Sequence, residues 1–290
     1  MHVILGASGK VGRTTIAALR KQGIPVRAVL RDPTKAQAFS DLGCEIAIAD
    51  LNDRRTLIEA MNGARAVQVI CPVNVRAERA QANMLQTIET IAEALTAANP
   101  RQVLAISDYG AQHSSGTGVT LIFHALEARL RKLDSKLIFL RSAEHMQNWA
   151  RLTKVAAETG QLPSFYHNQA KLLPIISAFD VGSIAAELLL ESNDAKLRIV
   201  HAEGPQRYTP NDIAAAIGLL AGRNVTALPL PETEWQNVLL RAGLSEEYAQ
   251  LLVELYTAHN AGRIDVESDV GELRRGGTGL VDALRPLLLA

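Results

Sequence analysis

A glycine-rich turn near the first residue limits this chain more than any other feature. Gly6-Ala7-Ser8-Gly9-Lys10-Val11-Gly12 follows the short apolar run His2–Leu5 and opens the helix-period segment Lys10–Lys21. In a strand–turn–helix unit the three glycines do different things. Gly6 permits the tight turn, Gly9 lets backbone approach a pyrophosphate, and Gly12 lets the helix pack close to the strand. The unpaired N–H groups at the helix start then face an anion with a partial positive charge. Ser8, Lys10 and Val11 complete the cradle. Three glycines alone are weak evidence, but between a strand and a helix they predict a dinucleotide site.

The alternation continues along the chain. His2–Leu5, Val26–Leu30, Glu45–Ala49, Ala66–Ile70, Gln102–Ile106 and Lys136–Leu140 are short, nearly continuous apolar runs, as strands buried on both faces of a parallel sheet should be. Between them Lys10–Lys21, Pro33–Leu42, Arg54–Met61, Ala77–Ala98 and Val119–Leu133 carry apolar residues at helical spacing. Asp32 before Pro33 reads as N-cap then first helical position, and Asp53 as a second cap. The expected fold is α/β, a Rossmann-type doubly wound parallel sheet.

After Arg141 the rhythm loosens. A helical stretch near Ala143–Thr159 gives way to a loop with Pro163, Tyr166, His167 and Asn168. A helix near Val181–Glu191 and a last strand, Leu197–His201, precede the turn at Gly204–Pro205, and the chain from Pro210 reads as mainly helical. This predicts a nucleotide-binding domain over residues 1–150, completed by about 170–205. Residues 151–170 and 206–290 form a smaller, mainly helical lobe on the substrate side. There is no repeat of solenoid period and no low-complexity tract.

Composition narrows the function classes. Thirty basic and thirty acidic side chains cancel, so no overall positive field gathers nucleic acid or an anionic membrane. Two cysteines, Cys44 and Cys71, make no disulfide framework, and His2–Leu5 is too short for a signal peptide or membrane span. A cytoplasmic protein is expected, as a monomer or homodimer. The seven histidines lack metal-ligand spacing, so no metal is expected.

The second strand ends Val29-Leu30-Arg31-Asp32. An acidic residue here would take the ribose 2′-OH of NAD, whereas an arginine suits the 2′-phosphate of NADP. With Asp32 better used as a cap, Arg31 stands at the strand tip and Lys35 adds a second charge, so NADP(H) is the expected cofactor; a solvated basic turn is the competing reading. Asp50 and Leu51, ending the third strand, either meet the adenine edge or cap the helix that follows. Cys71, Pro72 and Val73 after the fourth strand and Ser107 at the end of the fifth are placed along the cofactor. Cys71 lacks a neighbouring base, which argues for packing rather than nucleophile chemistry.

The glycine loop, together with Val29–Ala36, Ile48–Asp53, Val69–Val73, Phe139–Trp149, Ala178–Leu189, Ala202–Ile217 and Leu228–Trp235, resembles the NmrA-like branch of the atypical short-chain dehydrogenase/reductases. The resemblance covers nearly the whole chain. It implies a Rossmann domain with a small C-terminal lobe, NADP(H), and small-molecule acceptors such as quinones or azo and triphenylmethane dyes. Some members are redox sensors that bind the nucleotide and regulate a partner.

The departures matter as much. Tyr109-Gly110-Ala111-Gln112-His113 offers the tyrosine of a Tyr-x-x-x-Lys pair but a histidine in place of its lysine, and Tyr109 lies only two residues past Ser107. His124 falls at or near the position where the family often has a lysine or histidine facing the nicotinamide, so His124 and Tyr109 are the candidate catalytic residues. A packed helix histidine is the rival reading of the first. Ser142 stands where the family often has proline. The family stretch also assigns Arg141, His145, Met146 and Asn148 to the acceptor; the rival reading is a segment that merely turns the chain into the lobe. Two functions remain open: a reductase, and a nucleotide sensor without turnover.

Overall fold

Buried runs of branched side chains make the middle layer of the molecule. In the computed structural model, which describes residues 1–71 and 73–288, the strands are β1 (His2–Ile4), β2 (Val26–Leu30), β3 (Glu45–Ile48), β4 (Ala66–Val69), β5 (Gln102–Asp108), β6 (Lys136–Ser142), β7 (Glu144–His145), β8 (Gln161–Ser164), β9 (Ile175–Ile176), β10 (Leu197–Glu203), β11 (Thr226–Pro229) and β12 (Glu272–Arg275). Among the described residues, eight of them form one sheet in the order β12-β10-β6-β5-β4-β1-β2-β3, with every ladder parallel. β1 and β4 are buried throughout, whereas the edge strands β3 and β12 are partly exposed. The order reverses between β1 and β4, which opens a crevice at the carboxyl edge.

The helices are α1 (Lys10–Lys21), α2 (Ala36–Ser40), α3 (Arg54–Met61), α4 (Ala80–Ala98), α5 (Thr120–Leu130), α6 (Ala150–Thr159), α7 (Ala178–Leu190), α8 (Pro210–Ala221), α9 (Glu232–Arg241), α10 (Glu246–Asn260) and α11 (Leu280–Leu288). On one face of the sheet Ile16, Leu19, Phe39, Val181 and Ala185 join Ile4, Leu104 and Ile106. On the other, Leu57, Met61, Ile88, Leu95 and Leu126 join Val3, Val67 and Val103. Each such leucine or isoleucine taken out of water contributes roughly 1.5–3 kcal/mol, so the edge that carries the site rests on a rigid base. Asp32 accepts from the Thr34 amide at 3.0 Å, and Asp53 from the Arg55 and Thr56 amides, the two caps expected from the sequence.

The smaller lobe is mainly helical. Trp149, Tyr166, Ile213 and Leu284 centre one of its cores, between α6, α8 and α11. Phe165 and Trp235 centre another, against α9 and α10. Two short parallel ladders, β8 with β11 and β7 with β9, stitch the lobe together.

Several elements differ from the sequence reading, among them β8 and β11, which lie where a loop and helices were expected. The stretch Ala143–Thr159 is broken: Glu144 and His145 are extended and pair with Ile175 and Ile176, and a 3-10 turn over Met146–Trp149 precedes α6. Within the chain after Pro210, β12 pairs with β10 as the last strand of the sheet. It has no apolar run to betray it. Arg274 pairs with Glu191 at 3.0 Å, Glu191 with Arg198 at 2.9 Å, and Arg198 with Glu272, so this edge is held by its ladder and by charge.

Candidate active site

The turn between β1 and α1 is shaped by three different demands. Gly6 sits at φ +65°, a left-handed conformation that favours glycine. A Cβ on Gly12 would lie 2.5 Å from the Gly6 carbonyl oxygen and 3.1 Å from Ala7 Cα, so no side chain fits there without moving backbone. A Cβ on Gly9 would meet only that carbonyl oxygen, at 3.4 Å, leaving its outer side open. The start of α1 has no side-chain cap and no acidic residue in its first turn. Its N–H groups therefore point to an anion rather than to the protein's own carboxylates. Ser8, Gly9 and Lys10 are exposed, and Val11 is buried under the turn.

Beside this turn lies the tip of β2. Arg31 and Lys35 are exposed and flank Asp32, whose carboxyl is held below its ordinary range by hydrogen bonds from Thr34 and then by the charges of Lys35 and Arg31. A third cation reaches the same corner: Arg13 of α1 lays its guanidinium 5.3 Å from the ring centroid of Phe39. Asp50 is exposed and accepts from the Asn52 amide at 2.9 Å. It does not cap α3, since Asp53 fills that role. Leu51 packs on the second core layer. Cys71 is buried, which pushes its thiol up to about 12; Val73 is half-buried, and Pro72 lies outside the described residues.

At the carboxyl ends of β5 and β6 several expected contacts are spent inside the protein. The Arg141 side chain is 3% exposed. It donates twice to Glu127, from Nε and Nη2 at 2.8 Å each, and again to Glu267. Ser107 donates to the same Glu127 at 2.7 Å. Tyr109 is buried and donates its O–H to Glu203 at 3.2 Å. Glu203 is held in turn by Arg207 at 2.7 Å and Arg275 at 3.3 Å. Burial, followed by the charge of Glu203, pushes the Tyr109 phenol well up. Met146 is fully buried in the lobe core. In this structure Arg141, Ser107 and Tyr109 are engaged in buried hydrogen bonding and charge pairing, and Met146 in packing. A buried arginine is retained where its fork meets a carboxylate in two-point geometry.

His124, half-buried on α5, places Nδ1 2.9 Å from the Ala111 carbonyl oxygen. A carbonyl only accepts, so Nδ1 is the donor in this contact. His145 is half-buried, and burial together with the charge of Lys10 lowers it to about 4. That coupling brings β7 alongside the first residue of α1. Asn148 is exposed and hydrogen-bonds Glu144, and Tyr166 donates to Glu144 Oε2 at 2.9 Å. Burial pushes the carboxyl of Glu144 up to about 7. Burial, and then the charge of Glu144, does the same for Asp108, against a hydrogen bond from the Tyr109 amide. Behind these groups the rings of Trp149, Tyr166, Tyr256, Phe165 and Trp235 form a connected aromatic wall, with Phe165 stacked on Tyr256 at 4.5 Å.

A model described as the NmrA-like family matches residues 2–274 of this chain. The chain belongs to the NmrA-like family. An NAD(P)H azoreductase of Xenophilus azovorans is 23% identical over 88% of the chain and 86% of its own length. Quinone oxidoreductase 2 of Escherichia coli is 24% identical over the same shares. Among solved structures, the triphenylmethane reductase of Citrobacter sp. complexed with NADP(H) superposes with a TM-score of 0.82 at 21% identity, covering 99% of this chain and 100% of that one.

In this NmrA-like chain Asp108, Glu144, Tyr166 and Arg13 were not visible as site residues from sequence. Asp108 reads as an ordinary strand end and Glu144 lies inside a stretch with helical spacing. Only the family likeness of Phe139–Trp149 draws attention near Glu144, and it points to its neighbours. A polar residue directly after an apolar strand was the one signal available for Asp108, because such positions line the crevice of a parallel sheet.

Proposed function

We propose that this protein is an NADP(H)-dependent oxidoreductase that reduces a small electrophilic acceptor of the quinone, azo or triphenylmethane dye class. The observation that carries the reading is the β1–α1 turn: an uncapped helix start free of acidic residues, with open space over Gly9 and three cations at the neighbouring corner. A dinucleotide fits these residues. Its pyrophosphate would lie over Gly9 against the amides of residues 10–12, since the Gly9 amide donates to the Gly6 carbonyl at 3.0 Å, and Arg31, Lys35 and Arg13 suit a 2′-phosphate. When bound, the reduced nicotinamide supplies hydride, and the protein's work is to position the acceptor and exclude water. Two relatives that match most of the chain are reductases of azo compounds and quinones by name, which supports both the reaction and the acceptor class. His124 fits a supporting part, its Nδ1–H bond to Ala111 steadying the loop that leaves β5.

The test is NADPH oxidation by the purified protein against quinones, enones, aldehydes and azo dyes. Saturable turnover is expected with the conjugated acceptors and not with simple aldehydes. Tight NADPH binding with no turnover on any of them would replace this reading with that of a nucleotide sensor.

A further inference from the structure

The crevice edge holds an acid cluster for which hydride transfer alone has no use. Asp108 is the last residue of β5 and stands in register with Ser142 of β6; two residues later Glu144 opens β7. Tyr166 donates to Glu144 at 2.9 Å and Asn148 bonds the same carboxyl. Part of each acid remains accessible, so a molecule seated on the edge can reach them.

These carboxyls differ from the other buried acids nearby. Glu127 is clamped by Arg141, and Glu203 by Arg207 and Arg275. Among the described residues neither Asp108 nor Glu144 makes an ion pair with lysine, arginine or histidine. Enclosed acids without a cation hold on to their protons, and both are pushed up to about 7. The other titratable groups that face them cannot serve instead. His145, next to Glu144 and opposite Lys10, is lowered to about 4. His259 of α10 lies 5.6 Å from the Tyr166 ring and is lowered to about 4, by burial and then by Lys171. Tyr166 itself is pushed well up by burial, then by Glu144 and Tyr256.

We propose that Asp108 and Glu144, with Tyr166 hydrogen-bonded to Glu144, are the proton source that completes reduction of the acceptor in place of a tyrosine–lysine pair. The proposal rests on the oxidoreductase reading above. With a quinone or azo acceptor, hydride brings two electrons and one proton, leaving an oxygen or nitrogen anion that needs a further proton. The O–H bond of Glu144 then breaks as a new O–H or N–H bond forms on the acceptor. The carboxylate regains its proton from water by way of Asp108. A carboxylic acid poised near the working pH suits this step, and such general acids contribute about 10²–10⁴-fold. Because the two acids interact, their titration belongs to the pair.

The experiment is the pH profile of kcat at saturating NADPH and quinone, with NADPH affinity measured alongside. The unmodified protein is expected to turn over steadily below about pH 7 and to lose kcat above it, as the acids ionise. Glu144→Gln is expected to lower kcat by about 10²-fold and erase that break, with NADPH affinity unchanged. Tyr166→Phe is expected to move the break to higher pH, because the phenol's hydrogen bond favours the ionised carboxylate. If Glu144→Gln does not fold, Asp108→Asn with a displaced break serves the same purpose. Turnover and profile unchanged in the folded variants overturn the proposal alone. No turnover in the unmodified protein overturns the oxidoreductase reading and takes the proposal with it.

Discussion

The β1–α1 corner and the β5–β6 corner share one edge of one sheet but are built from different materials. The first is made of backbone: a left-handed Gly6, an open Gly9, a crowded Gly12 and the bare start of α1. All of it comes from one short run, Gly6 to Gly12. The second is made of side chains delivered from far apart in the chain, with Asp108, Glu144 and Tyr166 beside the Arg141 clamp. The difference separates two kinds of recognition. A pyrophosphate has one shape and one sign of charge, which local geometry can meet once and for all. The acceptor end must manage protons in a half-dry space, and that needs titratable groups whose surroundings come from several elements.

The contrast is sharpest at Arg141. If it is part of the second corner's frame and not an acceptor ligand, Arg141→Ala should cost about 3–5 kcal/mol, because Glu127 is left buried without its partner. A thermal or urea unfolding curve checks this. Near-native stability with a raised KM would return Arg141 to the acceptor.

Next comes the glycine loop, where Gly9 and Gly12 should part company. Gly9→Val is expected to weaken NADPH binding by about 100-fold or more, some 2.7 kcal/mol, while the melting temperature stays close to that of the parent. Gly12→Val should instead lower stability, by about 1–3 kcal/mol as an overpacked site does. Calorimetry and thermal melts on both variants decide whether the first corner is as cleanly divided between ligand and packing as its geometry indicates.

Arg31→Ala should have a smaller effect. Loss of one charge-assisted contact to a 2′-phosphate is worth on the order of 1.5–3 kcal/mol, so the preference for NADPH over NADH should fall roughly tenfold or more. Retention of the preference would move the contact to Lys35 or Arg13.

Stability against pH tests the second corner without any ligand. His145 and His259 are lowered in the folded protein to about 4 from 6.5. Their contribution is therefore present above pH 6.5 and is lost as pH falls through about 4. Asp108 and Glu144 are raised to about 7 from 3.8 and 4.5, so their contribution is present at low pH and is lost as pH rises through about 7. Unfolding measured between about pH 4 and 8 should show the acid-side loss flattened in a His259→Gln variant. The same acid limb in variant and parent would show that His259 does not titrate on unfolding.

Legibility in the sequence follows the same division. β2, α1 and α3 are bounded as the sequence reads them, and the capping roles of Asp32 and Asp53 were readable too, because strand burial, helix period and caps are local. The partners of Arg141 and Tyr109 were not readable, because family position says nothing about which partner a side chain finds. Their partners Glu267 and Glu203 lie 126 and 94 residues away. Asp108 and Glu144 stayed hidden for a related reason: what sets them apart is that, among the described residues, neither makes an ion pair with a cation, which no sequence spacing records.

The strand β12 has a consequence for how the protein comes into being. The chain leaves the sheet at Glu203, builds most of its smaller lobe, and comes back at Glu272 to pair with β10. During synthesis the β10 edge therefore waits, unpaired, until about seventy further residues have emerged. A nascent or clipped chain lacking residues 272–275 would expose that edge as a template for other strands and leave Glu203 and Arg198 without Arg275 and Glu272. The nucleotide half cannot be cut free at the lobe boundary, because its last stitch is sewn from the far side of the lobe.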